Sequence, residues 1–281
     1  MRIGVIADSH VAVDERAHQP AAWHNPFRLV DALDRLVAAL EHPHVRGADL
    51  VVVLGDLAHY GDRPSVRAVV DAVASCAQPV VLLSGNHDVI EPGVRLEDEV
   101  LAVGASHVWS PKVESVPARL RALFEGEGLG LQVVEVMAEW PAPDQPFAVE
   151  ARTVVDGLRG APGVTLTHFP LVGFQARCEG AGFLYSGHLD QLAVAPDLEP
   201  GWSSHLVLNG HLHVRAVSLE AATLQLSFAA LVEAPYEVAA VDIARRADAL
   251  DVSYECASVR AVDEDKVPVL DPPTNRWAVG R

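Results

Sequence analysis

The sequence predicts an α/β protein whose first half winds a parallel sheet and whose second half is rich in short strands. Three observations carry this. Apolar, largely β-branched runs recur at residues 2–7, 49–54 and 80–83. Segments with helical spacing of apolar residues separate them. After residue 206, strand-like runs follow one another with no long helix between them.

Each element follows from its own pattern. Residues 27–41 place Val30, Leu33, Val37 and Leu40 at spacings of three and four, which predicts an amphipathic helix. The run 49–54, bounded by Gly55, reads as a strand buried on both faces. Residues 64–77 read as a helix with Pro64 in its first turn, where a missing N–H costs little. Right-handed crossovers then make the first three strands parallel. Between 91 and 160 the pattern gives helices near 95–103 and 116–125 and a strand near 131–137. A link with Pro141, Pro143 and Pro146 and a helix near 147–158 follow. This stretch, roughly 91–160, is expected as an insertion covering one side of the sheet. Buried strands return at 163–167 and 206–208. The runs 214–219, 223–228, 236–243 and 250–256 predict a second, mostly antiparallel sheet packed on the first. Residues 1–262 are expected as a single domain and 263–281 as a loosely ordered tail.

Composition narrows the class. Half of the 281 residues are hydrophobic, enough for a sizeable core. No run of roughly 18 or more apolar residues is present, which excludes a membrane-spanning helix. The start, Met1-Arg2-Ile3-Gly4-Val5-Ile6-Ala7, enters a strand directly and does not resemble a secretory leader. The three cysteines, Cys76, Cys178 and Cys256, lack paired spacing and read as free thiols, so a cytoplasmic location is expected. The net charge of −17, with no basic run, argues against duplex nucleic acid or anionic membrane as partners.

The chemistry lies at the strand ends. The first strand is followed by Asp8-Ser9-His10, the second by Gly55-Asp56, and the third by Gly85-Asn86-His87-Asp88. His168 follows the strand at 163–167, and Gly210-His211-Leu212-His213 follows that at 206–208. Each piece alone has an ordinary explanation: a turn aspartate, a helix cap, a structural histidine. Jointly they place metal-ligand side chains after five strands, and open α/β sheets bind ligands at their carboxyl ends. His59, three residues past Asp56, is placed where it can face the site but is left outside this set. So are His18, His24, His42, His44, His107, His188 and His205, which read as surface or structural.

The five blocks, in order, resemble the calcineurin-like metallophosphoesterase superfamily, with its D-x-H, G-D, G-N-H-[DE], H and G-H-x-H motifs, over roughly residues 3–215. The resemblance implies a four-layered α/β/β/α sandwich of two packed mixed sheets. It implies two metal ions, one held by Asp8, His10, Asp56 and His213, the other by Asp56, Asn86, His168 and His211. If His211 and His213 lie on an extended segment, they share a face roughly 6.5–7 Å apart. That suits one histidine for each of two ions roughly 3.5–4 Å apart. Nitrogen and oxygen donors without thiolate fit Mn²⁺, Fe or Zn²⁺. The resemblance further implies attack on phosphorus by a hydroxide bridging the ions. His87 would act as general acid or phosphate contact. Asp88 would hold the His87 imidazole, support a ligand from behind, or simply be a turn carboxylate.

Gly55-Asp56-Leu57-Ala58 is similar to the corresponding block of small bacterial phosphodiesterases. Thr167-His168-Phe169-Pro170 lacks the second histidine of the His-His-Pro form found in some of them. The favoured expectation is a phosphodiesterase acting on a small molecule, cyclic nucleotides among them. The alternatives are a phosphomonoesterase or protein phosphatase, a catalytically silent binding protein of the same fold, and a nuclease. A nuclease should bring a basic groove, which is not seen in the sequence. Trp23, Trp109, Phe174 and Tyr185 are candidates to stack on a base, with packing as their commoner role. A homodimer contact through the insertion is left open.

Overall fold

The computed structural model describes residues 1–111, 115–139, 148–156, 161–185, 202–247, 249–262 and 267–280. The link at 140–147, which holds Pro141, Pro143 and Pro146, lies outside them, as does His188. The chain begins with β1 (Arg2–Ile6), α1 (Ala32–Glu41), α2 (Pro43–Arg46), β2 (Leu50–Leu54), α3 (Arg63–Ala74) and β3 (Val80–Leu83). β1, β2 and β3 pair in parallel, as expected from the crossovers. Alternate side chains of these strands serve two different interiors. Leu50, Val52 and Leu54 join Leu166, Leu206 and Leu208 between the sheets. Val51 and Val53 face Leu36, Val66 and Val69 under the helices.

α1 buries a stripe that keeps Leu40 and, in part, Leu33 of the expected residues but leaves out Val30 and Val37. Val30 precedes it, and Val30 and Val37 are 64% and 46% exposed, whereas Leu36, Ala39 and Leu40 are buried. The reason is Arg35. It occupies a core-facing position, donating to the Leu231 carbonyl at 2.8 Å and to Asp31 at 2.7 Å, with its guanidinium over the Tyr236 ring. A charged residue on the inner face disguises that face in a hydrophobicity pattern.

Residues 91–160 supply α4 (Leu96–Val103), β4 (Val108–Trp109), α5 (Ala118–Gly126), β5 (Gly130–Glu139) and β6 (Ala148–Asp156). Rather than only covering a sheet, they complete two. β4 is the edge of the first sheet, and β5 lies inside the second. The helix expected near 147–158 is the strand β6, paired antiparallel with β5 along nine residues. Its valines and threonine suit a pleated ladder better than a helix.

The chain continues with β7 (Gly163–Thr167), α6 (Gln175–Gly180), β8 (His205–Asn209), β9 (Ala216–Glu220), β10 (Thr223–Ser227), β11 (Glu237–Arg246), β12 (Ala249–Ser258) and β13 (Thr274–Val279). The first sheet runs β13-β12-β11-β1-β2-β3-β4 and the second β6-β5-β7-β8-β10-β9. Both are mixed. The late strands therefore do not form a separate antiparallel sheet. β9 and β10 close the second sheet, while β11 pairs antiparallel with β1 and leads β12 and β13 outward in the first. The unbroken buried run Val238–Val241 marks β11 as an interior strand. Residues 274–279, expected as part of a loose tail, are ordered by the β12 ladder. Among the described residues no helix is long and apolar enough to cross a membrane.

The corrected face of α1 gives a direct test. Leu36→Ala should cost about 2–5 kcal/mol through the cavity it leaves. Val30→Ala should stay within about 0.5 kcal/mol. Chemical denaturation of both variants checks the assignment, and equal costs would refute it.

Candidate metal centre

The carboxyl ends of β1, β2, β3, β7 and β8 meet at one end of the two sheets. Their following loops are stitched together by backbone bonds: His10 N–H to Asp56 O at 2.8 Å, Val11 N–H to Leu57 O at 2.8 Å, and Gly210 N–H to His168 O at 3.1 Å. Five site residues adopt left-handed backbone conformations: Asp8 (φ 52°), His10 (45°), Asp56 (46°), His211 (68°) and His213 (55°). Such φ values are uncommon outside glycine and concentrate where the surroundings over-determine them. His211 and His213 are thus not on an extended segment; two left-handed turns aim their rings. Glycine beside the ligands makes room. A Cβ on Gly85 would lie 2.2 Å from Asp56 Oδ1 and 2.7 Å from His168 Nε2.

All seven residues expected as ligands converge. One donor atom each from Asp8, His10, Asp56 and His213 falls within 4.8 Å of the others. Asp56, His168 and His211 form a second such group, so Asp56 belongs to both. Asn86 Oδ1 joins the second, 3.2 Å from His168 Nε2 and 3.1 Å from His211 Nδ1. Hydrogen bonds behind the rings choose which nitrogen faces inward. His168 donates Nδ1–H to the Leu54 carbonyl at 2.7 Å, leaving Nε2 for the site. His213 Nδ1 lies 2.6 Å from Glu233 Oε1. Its Nε2 then faces His10 Nε2 at 3.2 Å. Two ring nitrogens that close suit one shared cation, given metal–nitrogen bonds of about 2.0–2.1 Å.

The electrostatics point the same way. Burial raises the Asp8 carboxyl to about 6 against the pull of His213 and His168. Burial pushes Asp56 upward too, but His168 and His87 outweigh it and hold this carboxyl at about 2. Burial drives His10 and His211 well below the ordinary imidazole value, which keeps them neutral and able to donate a lone pair. Burial also opposes charging of His213, but Asp8 and Glu233 overcome it and raise this imidazole.

His87 sits at the cleft with its backbone N–H on Asp56 Oδ1 at 2.8 Å and its ring Nδ1 2.7 Å from the His59 carbonyl. Asp88 does not hold that ring. Its carboxylate accepts three backbone N–H groups, from Ala58 at 2.8 Å, Gly85 at 2.8 Å and Leu57 at 3.0 Å. Asp88 thereby clamps the loop carrying Asp56 to the loop carrying Asn86. Burial first, and the nearby Asp56 second to it, raise its carboxyl to about 6.

Three residues at the site lie outside the motif pattern. His59, outside the expected ligand set, is buried with Nδ1 3.0 Å from His10 Nδ1, and its ring stacks on His87. Phe27 stacks on His213 and, with Trp23, walls the cleft. Glu233 stands behind His213; its signal was a lone acid inside the apolar run 228–236. Of the four aromatic candidates, Trp23 lines the cleft, Trp109 and Phe174 are core, and Tyr185 packs beside Phe174. His24 is structural, pairing with the Leu212 carbonyl at 3.0 Å.

Two packed mixed sheets bearing this carboxylate–imidazole cluster at their strand ends define a metallophosphoesterase. The chain belongs to the calcineurin-like phosphoesterase family, whose model matches residues 1–215. It is similar to a probable cyclic nucleotide phosphodiesterase of Rhodopseudomonas palustris, 38% identical over 64 residues, 21% of this chain and 22% of the relative. A second probable cyclic nucleotide phosphodiesterase, from Fibrobacter succinogenes, is 27% identical over 103 residues, 36% of this chain and 37% of the relative. These alignments thus span about a fifth and about a third of the relatives' lengths. The fold is shared with a dimetal phosphatase from Danio rerio at a TM-score of 0.58 and 11% identity, over 99% of this chain and 98% of that one.

The clamp is testable without any metal. Asp88→Asn should leave one of the three backbone donors poorly paired and cost about 1–3 kcal/mol. Denaturation of the metal-free variant measures this, and an unchanged midpoint would remove Asp88 from the clamp.

Proposed function

We propose that the protein is a dinuclear metal-dependent phosphodiesterase acting on a small molecule, with cyclic nucleotides the first class to examine. The observation that carries this reading is the pair of donor groups sharing Asp56. Asp8, His10, Asp56 and His213 would hold one ion; Asp56, Asn86, His168 and His211 the other. Two divalent ions there would acidify a water and neutralise phosphoryl oxygens. Nitrogen and oxygen donors leave Mn²⁺, Fe and Zn²⁺ as candidates.

The chain's own groups divide the remaining work. His87, with Nδ1 held by the His59 carbonyl, presents Nε2 for proton delivery to the leaving oxygen. Asp88 keeps the ligand loops in register. Trp23 and Phe27 give the cleft an apolar wall for the organic part of an ester. None of the described residues lining that cleft is Lys or Arg. A monoanionic diester therefore suits it better than a dianionic monoester. The names of the two bacterial relatives support the same choice, and the net charge of −17 opposes a duplex nucleic-acid substrate.

The test is hydrolysis of bis-p-nitrophenyl phosphate by the Mn²⁺-loaded protein. Turnover should vanish with Asp56→Asn and with chelation, and return when Mn²⁺ is restored. His87→Ala should bind both ions yet lose about 10²–10⁴-fold in kcat. No turnover from protein carrying two ions per chain would sink the diesterase reading.

A further inference from the structure

Glu233 belongs to none of the family's ligand motifs and, among the described residues, is the one carboxylate aimed at a ligand ring from behind. It lies in the buried turn between β10 and β11 and is itself fully buried. Both its oxygens are engaged by donors. Oε1 is 2.6 Å from His213 Nδ1, and Oε2 accepts the Asn25 backbone N–H at 2.5 Å. The turn around it is pinned to the strand that carries Asp8: Leu231 N–H donates to the Ala7 carbonyl at 2.9 Å and Val232 N–H to the Asp8 carbonyl at 3.2 Å. The Asn25 segment carries Trp23 and Phe27, and Phe27 stacks on the His213 ring at 5.4 Å. His213 is therefore gripped by a carboxylate at its edge and an aromatic ring on its face.

We propose that Glu233 is a positioning residue for the first metal. Its carboxylate holds the His213 proton on Nδ1, which makes Nε2 the metal donor, and through Asn25 it seats the aromatic wall on the same ring. This rests on the reading of His213 as a ligand. Without the carboxylate, His213 can carry its proton on either nitrogen and rotate, and the ion it serves loses a preset partner. Loss of such a carboxylate behind a ligand histidine weakens metal binding about 10–100-fold.

Two measurements on the full chain test this. Calorimetric titration of the metal-stripped protein with Mn²⁺ should show Glu233→Gln weakening one of two ions by about 10–100-fold and leaving the other within about threefold. A folded variant that binds both ions like the wild type overturns the proposal. The second measurement needs no variant. Imidazole ¹⁵N spectra of the Zn²⁺-loaded wild type, with His213 assigned through His213→Gln, should show a proton on His213 Nδ1 and zinc on Nε2. Zinc on Nδ1 overturns the proposal even if Glu233→Gln does not fold. Neither readout uses turnover. Two tightly bound ions with the expected tautomer but no ester hydrolysis would leave the Glu233 assignment standing and remove the diesterase reading. Absence of metal binding by the wild type would end both.

Discussion

Two carboxylates, Asp8 and Asp56, are buried within one cluster, and the rest of the site is organised around that constraint. Burying one charge without a partner costs several kcal/mol, and burying two of like sign costs more. The protein alone meets this by splitting the pair: Asp56 is held near 2 by the imidazoles beside it while burial lifts Asp8 to about 6. That compromise leaves His213 raised by Asp8 and Glu233 while His10 and His211 stay neutral. Cations bound there would release it, keeping both carboxylates ionised and the His10, His211 and His213 rings neutral. Metal binding at this cluster would in this sense be coupled to the folding energetics.

The same constraint explains the backbone. Five residues of the cluster hold left-handed φ values, and such conformations persist where surroundings over-determine them. Here the surroundings are parallel strands whose loops continue to bond one another past the sheet, with Asp88 spanning three backbone donors. Stability elsewhere in the two cores supports strain at the strand ends. The site is therefore most exposed to changes in the glycines and the clamp.

What could be read before folding follows from how local each signal is. Asp8, His10, Asp56, Asn86, His168, His211 and His213 were legible because each follows an apolar strand, and strand ends in a parallel sheet share one edge. β1, β2 and β3 were legible for the same reason. Strand order was not. Nothing local in residues 237–246 says that they pair with β1 rather than with β10. In residues 148–156 the valines and Thr153 favour a strand while Ala148, Glu150, Ala151 and Arg152 favour a helix, and pairing with β5 decides between them. The face of α1 was hidden by Arg35, whose partners, Leu231 and Tyr236, lie some 200 residues away in sequence. Glu233 was invisible as a site residue, and His59 showed only through its place three residues past Asp56, because their roles are contacts with site residues, not motifs.

The family's match ends at residue 215, yet neither the fold nor the site is complete there. β1 is an interior strand only because β11 pairs with it along five residues. Without β11 the strand that delivers Asp8 and His10 would be a sheet edge, and the faces of Ile3 and Val5 would lose Val241 and Ile243 from their shared core. β10 completes the second sheet beside β8, which delivers His211 and His213. Between β10 and β11 runs the turn that brings Glu233 to His213. The motifs of the first 215 residues are thus held from behind by the last quarter of the chain. Substitutions that tune the metal centre without altering a ligand should concentrate there.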